Sequence, residues 1–449
     1  MSFWANYYHN DIARAIGFAV PPGQRVLEVG CRHTRYLEAA RPAEGVGLVA
    51  DTQCLADLSK RGLPYRFLPF PEGLDQLDGT FDTVLLADAL DAIPDVQDFL
   101  GRLKRLTGPR TRLIFTCYSR LWQPALRLAE ALGMKSREPV KNWLSAQDLC
   151  NLLQLCGMPV VRTAPRMLVP VWVPLLSWLL NRVVIHLPGC RHLALYRVVV
   201  ARGEARPRPA PSLSVVVPAR NEAGNLDALV RRMPRLAGAT EIVLVEGGST
   251  DGTWEEMERL RLAAAGPWVI RTARQGGTGK GDAVRQGFAM ASGELLTILD
   301  ADLSVPPEEL ARFYEALASG RTEFANGCRL VYRREEGAMR FLNMVGNHAF
   351  SLLFSWLLGQ RLKDTLCGTK MLSRADYERI AAGRGDFGDF DPFGDFDLLF
   401  GAARLNLAMH DVPVHYKSRR YGVTNIRRWR HGWLLLRMAL FAVRRFKLG

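Results

Sequence analysis

Short β-branched runs that stop abruptly at polar or glycine-rich sequence recur along this chain, and stretches of helical periodicity follow them. The runs are Arg25–Val29, Gly45–Val49, Thr83–Leu86 and Arg112–Cys117, then Leu213–Val217, Glu241–Val245, Trp268–Thr272 and Leu295–Leu299. Strands alternating with amphipathic helices place helices on the faces of a mostly parallel sheet, so the pattern predicts an α/β fold. The Pro- and Arg-rich ARGEARPRPAPS at 201–212 has no apolar periodicity and marks a linker. At 449 residues the chain exceeds one ordinary core. Two Rossmann-like domains are expected, 1–205 and 213–428, joined by a linker at 206–212 and followed by a helical tail at 429–449.

In open α/β sheets ligands bind beyond the carboxyl ends of the strands. In the second half those ends read Val217-Pro218-Ala219-Arg220-Asn221-Glu222, Val245-Glu246-Gly247-Gly248-Ser249-Thr250-Asp251, Gln275-Gly276-Gly277-Thr278-Gly279-Lys280 and Leu299-Asp300-Ala301-Asp302-Leu303-Ser304. The last is the sharpest. Asp300 and Asp302 flank one small residue, and on an extended chain alternate side chains share a side. Two carboxylates meeting there repel unless a cation lies between them, and Mg²⁺ or Mn²⁺ favours such oxygen ligands shared with phosphates. Helix capping by Asp302 or Ser304 is the structural alternative, and it accounts for one acid only. The glycine segment is not a Walker A loop, because Gly281 follows Lys280 where Ser or Thr belongs.

Taken together, VVVPARNEAGN, EGGSTDGT, GKGDAVRQG, LDADLSVPPEEL, NGCRLVY, DTLCGTKML, DPFGDFDLLFGA and RRYGVTN resemble family 2 glycosyltransferases of the GT-A fold. The stretches resemble especially the polyprenyl-phosphate branch that includes dolichol-phosphate mannose synthase, and the likeness runs from about Ser212 to Arg428. The resemblance implies a nucleotide-diphosphate sugar donor bordered by Pro218, Arg220, Glu222, Glu246, Ser249, Lys280 and Asp300. It implies Asp300 and Asp302 as metal ligands, Arg329 and Arg340 on an acceptor phosphate, and Arg419 near the reacting phosphates. Glu246 and Gly247 stand where the family commonly has two Asp residues, Ser304 where some relatives have a metal-binding Gln, and Asn425 where a Lys is common. The implied reaction inverts the anomeric carbon, with Asp302, Arg419 and Asp397 as catalytic candidates. A lipid-phosphate acceptor is already an anion and needs no base; a glycan hydroxyl needs a carboxylate, for which Asp395 and Asp397 in the repeated FGDFD are the candidates.

Net charge is +14, which favours an anionic partner. Arg430, Arg437 and Arg444 recur every seven residues, with Leu434, Leu435, Met438 and Phe441 on the rest of the helix. Such a helix suits an anionic membrane surface, and nucleic acid is not expected as a partner. The apolar stretch 341–360 carries a polar ridge of Asn343, Asn347, Ser351 and Ser355, and the stretches at 166–182 and 432–443 are too short or too charged to span. With no signal peptide expected at the N-terminus, the reading is a cytoplasmic protein, peripheral on the inner face of the membrane. Cysteines are scattered without C-x-x-C spacing, which predicts buried thiols and no zinc.

Residues Arg25-Val26-Leu27-Glu28-Val29-Gly30-Cys31, with FDTVLLADAL, RLIFTCYS and NWLSAQDLCNLL, resemble class I S-adenosylmethionine-dependent methyltransferases over about residues 1–200. The resemblance implies Glu28, Gly30 and Asp51 as cofactor residues. Arg32 and Thr34 replace the later glycines of that family's loop, and Val49 stands where an acid usually holds the ribose, so the cofactor is doubtful. The domain then serves as a structural or docking module, with 166–187 and its Trp172 and Trp178 as an interfacial segment. The alternatives are a bifunctional enzyme that methylates and glycosylates a surface glycan, and a non-catalytic assembly factor.

Overall fold

The computed structural model describes residues 3–131, 144–187, 189–263, 267–332, 341–384, 396–419, 421 and 428–448. The chain divides into two compact units, Met1–Ala205 and Arg206–Lys447. Each is built on one seven-stranded sheet.

In the first unit the strands are β1 (Arg25–Val29), β2 (Glu44–Val49), β3 (Tyr65–Pro69), β4 (Phe81–Leu86), β5 (Thr107–Tyr118), β6 (Val160–Arg166) and β7 (Tyr196–Arg202). The helices are α1 (Phe3–Ala19), α2 (Arg35–Ala40), α3 (Thr52–Lys60), α4 (Val96–Leu103), α5 (Gln123–Ala131), α6 (Ala146–Leu155) and α7 (Leu176–Arg182). The strand order is β3-β2-β1-β4-β5-β7-β6. β7 runs antiparallel to both its neighbours. The order reverses at β1 and β4, which opens a crevice beyond their carboxyl ends.

In the second unit the strands are β8 (Leu213–Ala219), β9 (Thr240–Glu246), β10 (Val269–Arg274), β11 (Leu295–Ile298), β12 (Phe324–Cys328), β13 (Lys370–Ser373) and β14 (Met409–Pro413). The helices are α8 (Ala223–Arg231), α9 (Thr253–Leu262), α10 (Lys280–Met290), α11 (Leu310–Ala318), α12 (Phe341–Leu358), α13 (Arg374–Ala382), α14 (Phe396–Arg404) and α15 (Arg428–Val443). The order is β10-β9-β8-β11-β13-β12-β14, with β13 antiparallel to β11 and β12. Here the order reverses at β8 and β11.

The central strands β8, β9 and β11 are largely apolar because both faces are covered. Val216, Val243, Val245, Leu296 and Ile298 pack in one core with Phe354, Phe400 and Met438. The alternate residues Val215, Val217, Ile242, Leu244 and Leu295 pack in the other, with Leu226, Leu229 and Phe313. On α12 the polar ridge turns inward at Asn347, Ser351 and Ser355, while the side chain of Asn343 lies outside the described residues. The Ser351 and Ser355 hydroxyls donate to the Leu362 carbonyl at 2.6 and 2.9 Å, and Asn347 is buried. Among the described residues no helix is long and apolar enough to cross a membrane.

The strands expected from sequence are present, with ends shifted by a few residues. β5 is longest in excess, beginning at Thr107 where Arg112 was expected. One local expectation fails. β11 ends at Ile298 and the chain turns at Ala301 and Asp302, with Leu303 at φ +56°. Asp300 and Asp302 are therefore set by a turn and not by strand alternation.

Candidate active site

The loop after β11 lies at the reversal between β8 and β11, where parallel sheets leave a crevice. Asp302 accepts the Ser304 backbone N–H at 3.0 Å, which fixes the turn. It caps nothing: the next helical turn, at Pro307–Glu309, and α11 both begin without a side-chain cap. Helix capping thus explains neither carboxylate.

Each acid is instead matched by a cation from a distant part of the chain. Lys280, the first residue of α10, places Nζ 2.7 Å from Asp300 Oδ1. Arg419 donates to Asp302 Oδ2 at 2.7 Å and to Glu222 Oε1 at 3.3 Å, so one guanidinium bridges two carboxylates. Burial opposes the charge on Asp300, but Lys280, followed by Lys370 and Arg329, outweighs it and holds the carboxyl below its ordinary range. Glu222 behaves oppositely. Burial pushes its carboxyl up to about 7, with Asp302 and Asp251 adding to the rise against Asn225 and Arg419.

Gly368 is part of the same arrangement. A Cβ there would fall 2.5 Å from both Asp300 Oδ2 and Lys280 Nζ, so the backbone approaches this pair only because the residue is glycine. Two residues on, Lys370 is fully buried and donates to the Cys367 carbonyl. Its charge favours ionised Asp300 and Asp364. Asp364 in turn takes Arg329 in a bidentate pair at 2.7 and 2.8 Å and accepts the Arg329 backbone N–H at 3.0 Å. Arg329, read from sequence as an acceptor-phosphate residue, is thus committed to Asp364 as well. Asp364, Gly368 and Lys370 all fall within the DTLCGTKML stretch that carries part of the family resemblance, but the sequence alone assigns none of them a role.

The loops after β8 and β9 are tied together. Asn221 donates its N–H to Ser249 Oγ at 3.0 Å, and Thr250 N–H returns to Asn221 Oδ1 at 2.8 Å. Asp251 accepts from Ala223 N–H and from the Tyr421 hydroxyl, both at 3.2 Å. Glu246 accepts the Ser249 N–H at 2.5 Å, and Glu222 accepts from Asn225 at 2.6 Å. Pro218 lies in β8, and Arg220 is exposed beside these loops. The glycine segment is less open than the sequence suggests. Gly277 N–H donates to Asp282 at 3.0 Å and Gly276 N–H to Gln286 at 3.1 Å, which pins the loop to α10.

Asp397 sits in the first turn of α14, buried, and accepts from Arg384 Nε at 3.0 Å. Arg340, Asp395, Gly422, Asn425 and the first FGDFD copy lie outside the described residues. So do the side chains of Arg430, Leu434 and Leu435 on α15, whose Arg437 and Arg444 are exposed.

The donor chemistry fits a hard divalent cation. Two carboxylates lie one residue apart, and Asp300 is held ionised by its surroundings. Among the described residues no three His, Cys, Asp or Glu side chains gather to hold a metal. A cation here would keep positions open for phosphate oxygens and water, as Mg²⁺ and Mn²⁺ do.

In the first unit, Gly30 adopts φ +75° after β1, and a Cβ there would fall 2.8 Å from that of Ala89. Burial pushes the neighbouring Glu28 up to about 8, so it is largely neutral at pH 7. The His33 ring meets His9 at 5.0 Å and Tyr36 at 4.6 Å. His9 Nδ1 lies 2.7 Å from the Tyr36 hydroxyl. Tyr8 and Thr116 hydroxyls donate to Asp88 at 2.7 and 3.1 Å. The carboxyl ends of β1 and β4 thus carry an interlocked aromatic cluster. Asp51, expected on a ribose, caps α3 by accepting the Cys54 N–H at 3.0 Å.

Comparison with known proteins follows this division. Residues 214–380 match the model described as Glycosyl transferase family 2, and residues 4–163 match one described as Methyltransferase domain. Glycosyltransferase AglD of Haloferax volcanii is 30% identical over 48% of this chain and 35% of its own length. The dolichol-phosphate mannosyltransferase of Pyrococcus furiosus is 37% identical over 26% of this chain and 33% of its own length. The polyprenol monophosphomannose synthase of Mycolicibacterium smegmatis is 28% identical over 49% of this chain and 82% of its own length. The chain therefore spans about a third of the first two relatives. Among solved structures, glucosyl-3-phosphoglycerate synthase of Mycobacterium tuberculosis with Mn²⁺, UDP and product is 20% identical over 53% of this chain and 80% of that one, at a TM-score of 0.38. The stretch that matches the glycosyl transferase family 2 model thus falls within the second unit and its seven-stranded sheet, and the stretch that matches the methyltransferase model falls within the first.

Proposed function

We propose that the second unit transfers a sugar from a nucleotide-diphosphate donor to a polyprenyl-phosphate acceptor, with inversion at the anomeric carbon. The observation that carries this reading is the Asp300–Lys280 and Asp302–Arg419–Glu222 arrangement beyond β11. Asp300 and Asp302 would hold Mg²⁺ or Mn²⁺, which when bound supplies positive charge against the departing diphosphate. Lys280 and Arg419 lie within reach of the same diphosphate and can move from carboxylate to phosphate, orienting the donor and screening its repulsion for an anionic acceptor. The cross-tied loops after β8 and β9 would hold the nucleotide, and Pro218, Arg220, Glu222, Glu246 and Ser249 are carried by them. A phosphate acceptor needs no general base, in keeping with Asp397 being engaged by Arg384. The names of the Pyrococcus and Mycolicibacterium relatives support a lipid-phosphate acceptor. So does α15, where exposed Arg437 and Arg444 stand beside exposed Leu436 and Leu440.

In the same reading the first unit takes no S-adenosylmethionine. Arg32 and Thr34 occupy loop positions where a bare backbone must approach that cofactor, Asp51 is used as a helix cap, and His33 is packed among His9 and Tyr36. Calorimetric titration with S-adenosylmethionine is expected to give no binding heat; micromolar binding would restore the bifunctional alternative.

The test of the transferase reading is a screen of nucleotide sugars with Mn²⁺ or Mg²⁺, with and without polyprenyl phosphate. One donor should be consumed faster when the lipid is present, and Asp302→Ala should abolish turnover. No consumption of any donor, or full turnover by Asp302→Ala, would overturn it.

A further inference from the structure

The first unit carries an apolar surface that its own fold leaves uncovered. Trp172, Leu175, Leu176, Trp178, Leu179 and Leu187 are all between 45% and 86% exposed, with Leu175 the most exposed of them. They lie on α7 and the chain flanking it, between β6 and β7. Exposed apolar patches of this extent mark interaction sites more than chance.

What holds this surface narrows what it can meet. Ser177 and Asn181, on the inner side of α7, bind the preceding chain from beneath. Ser177 Oγ accepts the Val173 N–H at 2.8 Å and donates to the Val171 carbonyl at 2.5 Å. Asn181 Oδ1 accepts the Leu168 and Val169 N–H groups at 2.6 and 2.9 Å, and its amide donates to the Val169 carbonyl at 2.8 Å. Arg182 turns inward to Asp11 at 3.4 Å, both side chains nearly buried. The prolines at 170 and 174 have no N–H to satisfy. Backbone polar groups are thus served from inside while apolar side chains face out. That is what a segment entering hydrocarbon requires, since water there cannot pair them.

Charge identifies the medium. Between Asp148 and Glu204 the sequence holds no Asp or Glu, whereas Arg162 and Arg166 in β6 and Arg191 and Arg197 after α7 bracket the segment in sequence, and Arg191 and His192 are exposed beside Leu193. Aliphatic tips with tryptophans among them, in a segment that carries Arg and no acid, match the headgroup zone of an anionic bilayer. We infer that the surface formed by Trp172, Leu175, Leu176, Trp178 and Leu179 inserts into the interface of an anionic membrane, so that the methyltransferase-like unit is a lipid anchor. The inference stands apart from the transferase reading, because it concerns binding without donor or acceptor.

The test uses the full chain and vesicles of phosphatidylcholine with or without phosphatidylglycerol. Hydroxyl-radical footprinting should find Trp172, Leu175 and Trp178 reactive in solution and protected on vesicles containing phosphatidylglycerol. The Leu175→Glu/Leu179→Glu variant should lose at least about tenfold in vesicle partitioning, with an unchanged melting temperature and unchanged turnover on a short-chain, water-soluble acceptor. The inference is overturned if these side chains stay reactive on vesicles, or if the variant partitions like the parent. It is overturned equally if they are already protected without lipid, which would give the surface to the rest of the chain, or are protected only as a dimer forms at high concentration, which would give it to a second copy. Loss of transferase activity in every assay, with vesicle protection retained, would sink the proposed reaction and leave the anchor standing.

Discussion

Gly368→Ala tests the geometry of the proposed metal site without touching either carboxylate. The added Cβ would stand 2.5 Å from Asp300 Oδ2, 3.1 Å from its Cγ and 2.5 Å from Lys280 Nζ. The lysine tip can move away cheaply, being the end of a long flexible chain. Asp300 cannot, because its short side chain leaves the backbone just past the end of β11 and the new methyl crowds two of its atoms. Opening that contact to an allowed distance displaces the carboxylate by about 0.5 Å, whereas metal–oxygen distances tolerate roughly 0.2 Å. Losses of this kind beside a metal lower affinity or activity by about 10–100-fold, or about 1.4–2.7 kcal/mol. The assay is donor turnover against Mn²⁺ concentration. The half-saturating concentration should rise by at least tenfold while thermal unfolding confirms a folded protein. A folded variant with unchanged metal dependence and unchanged kcat would refute the reasoning, since Asp300 would then not be a ligand that the glycine makes room for.

Glu222, pushed up to about 7, holds its proton more tightly in the folded chain than in the unfolded one. Its contribution to stability is full at low pH and is lost as pH rises from about 4.5 to about 7. The melting temperature of Glu222→Gln relative to the parent, measured without metal, should therefore climb over that window, and a flat difference would count against the assignment. Asp364→Ala removes the buried partner of Arg329 and leaves Lys370 with one carboxylate fewer. Losing one member of a buried pair costs about 3–5 kcal/mol, so the unfolding midpoint should fall well below the parent's, and an unchanged midpoint would show the network to be dispensable.

Much of the fold is legible in the chain because fully buried parallel strands must be apolar on both faces. Val215-Val216-Val217 and Ile242-Val243-Leu244-Val245 announce such strands without any knowledge of their partners. The later part of each sheet is harder. β12, with Asn326 and Gly327, and β13, with Lys370 at its start, break the apolar run because their polar groups meet Asp364 and the Cys367 carbonyl. A periodicity rule reads those residues as interruptions. The turn at Asp302 is hidden for a similar reason: alternation predicts where side chains point only while the strand lasts, and β11 stops at Ile298.

For the candidate site, types of residue were readable and pairings were not. Two aspartates spaced by one residue state a charge problem, and chemistry suggests a cation as its answer. Which cation lies beyond local reasoning, since Arg419 is 117 positions from Asp302 and 197 from Glu222. The folded chain answers with its own lysine and arginine. This bears on the proposed function, because a site that is to accept a dication and a diphosphate gains little from carboxylates left to repel one another. Lys280 and Arg419 keep Asp300 and Asp302 compensated in the absence of ligand, and the same two cations are the groups a diphosphate would draw to itself. The exchange conserves the number of charge pairs, so donor entry need not strand a buried charge, and that is the physical reason to expect metal and donor to bind interdependently.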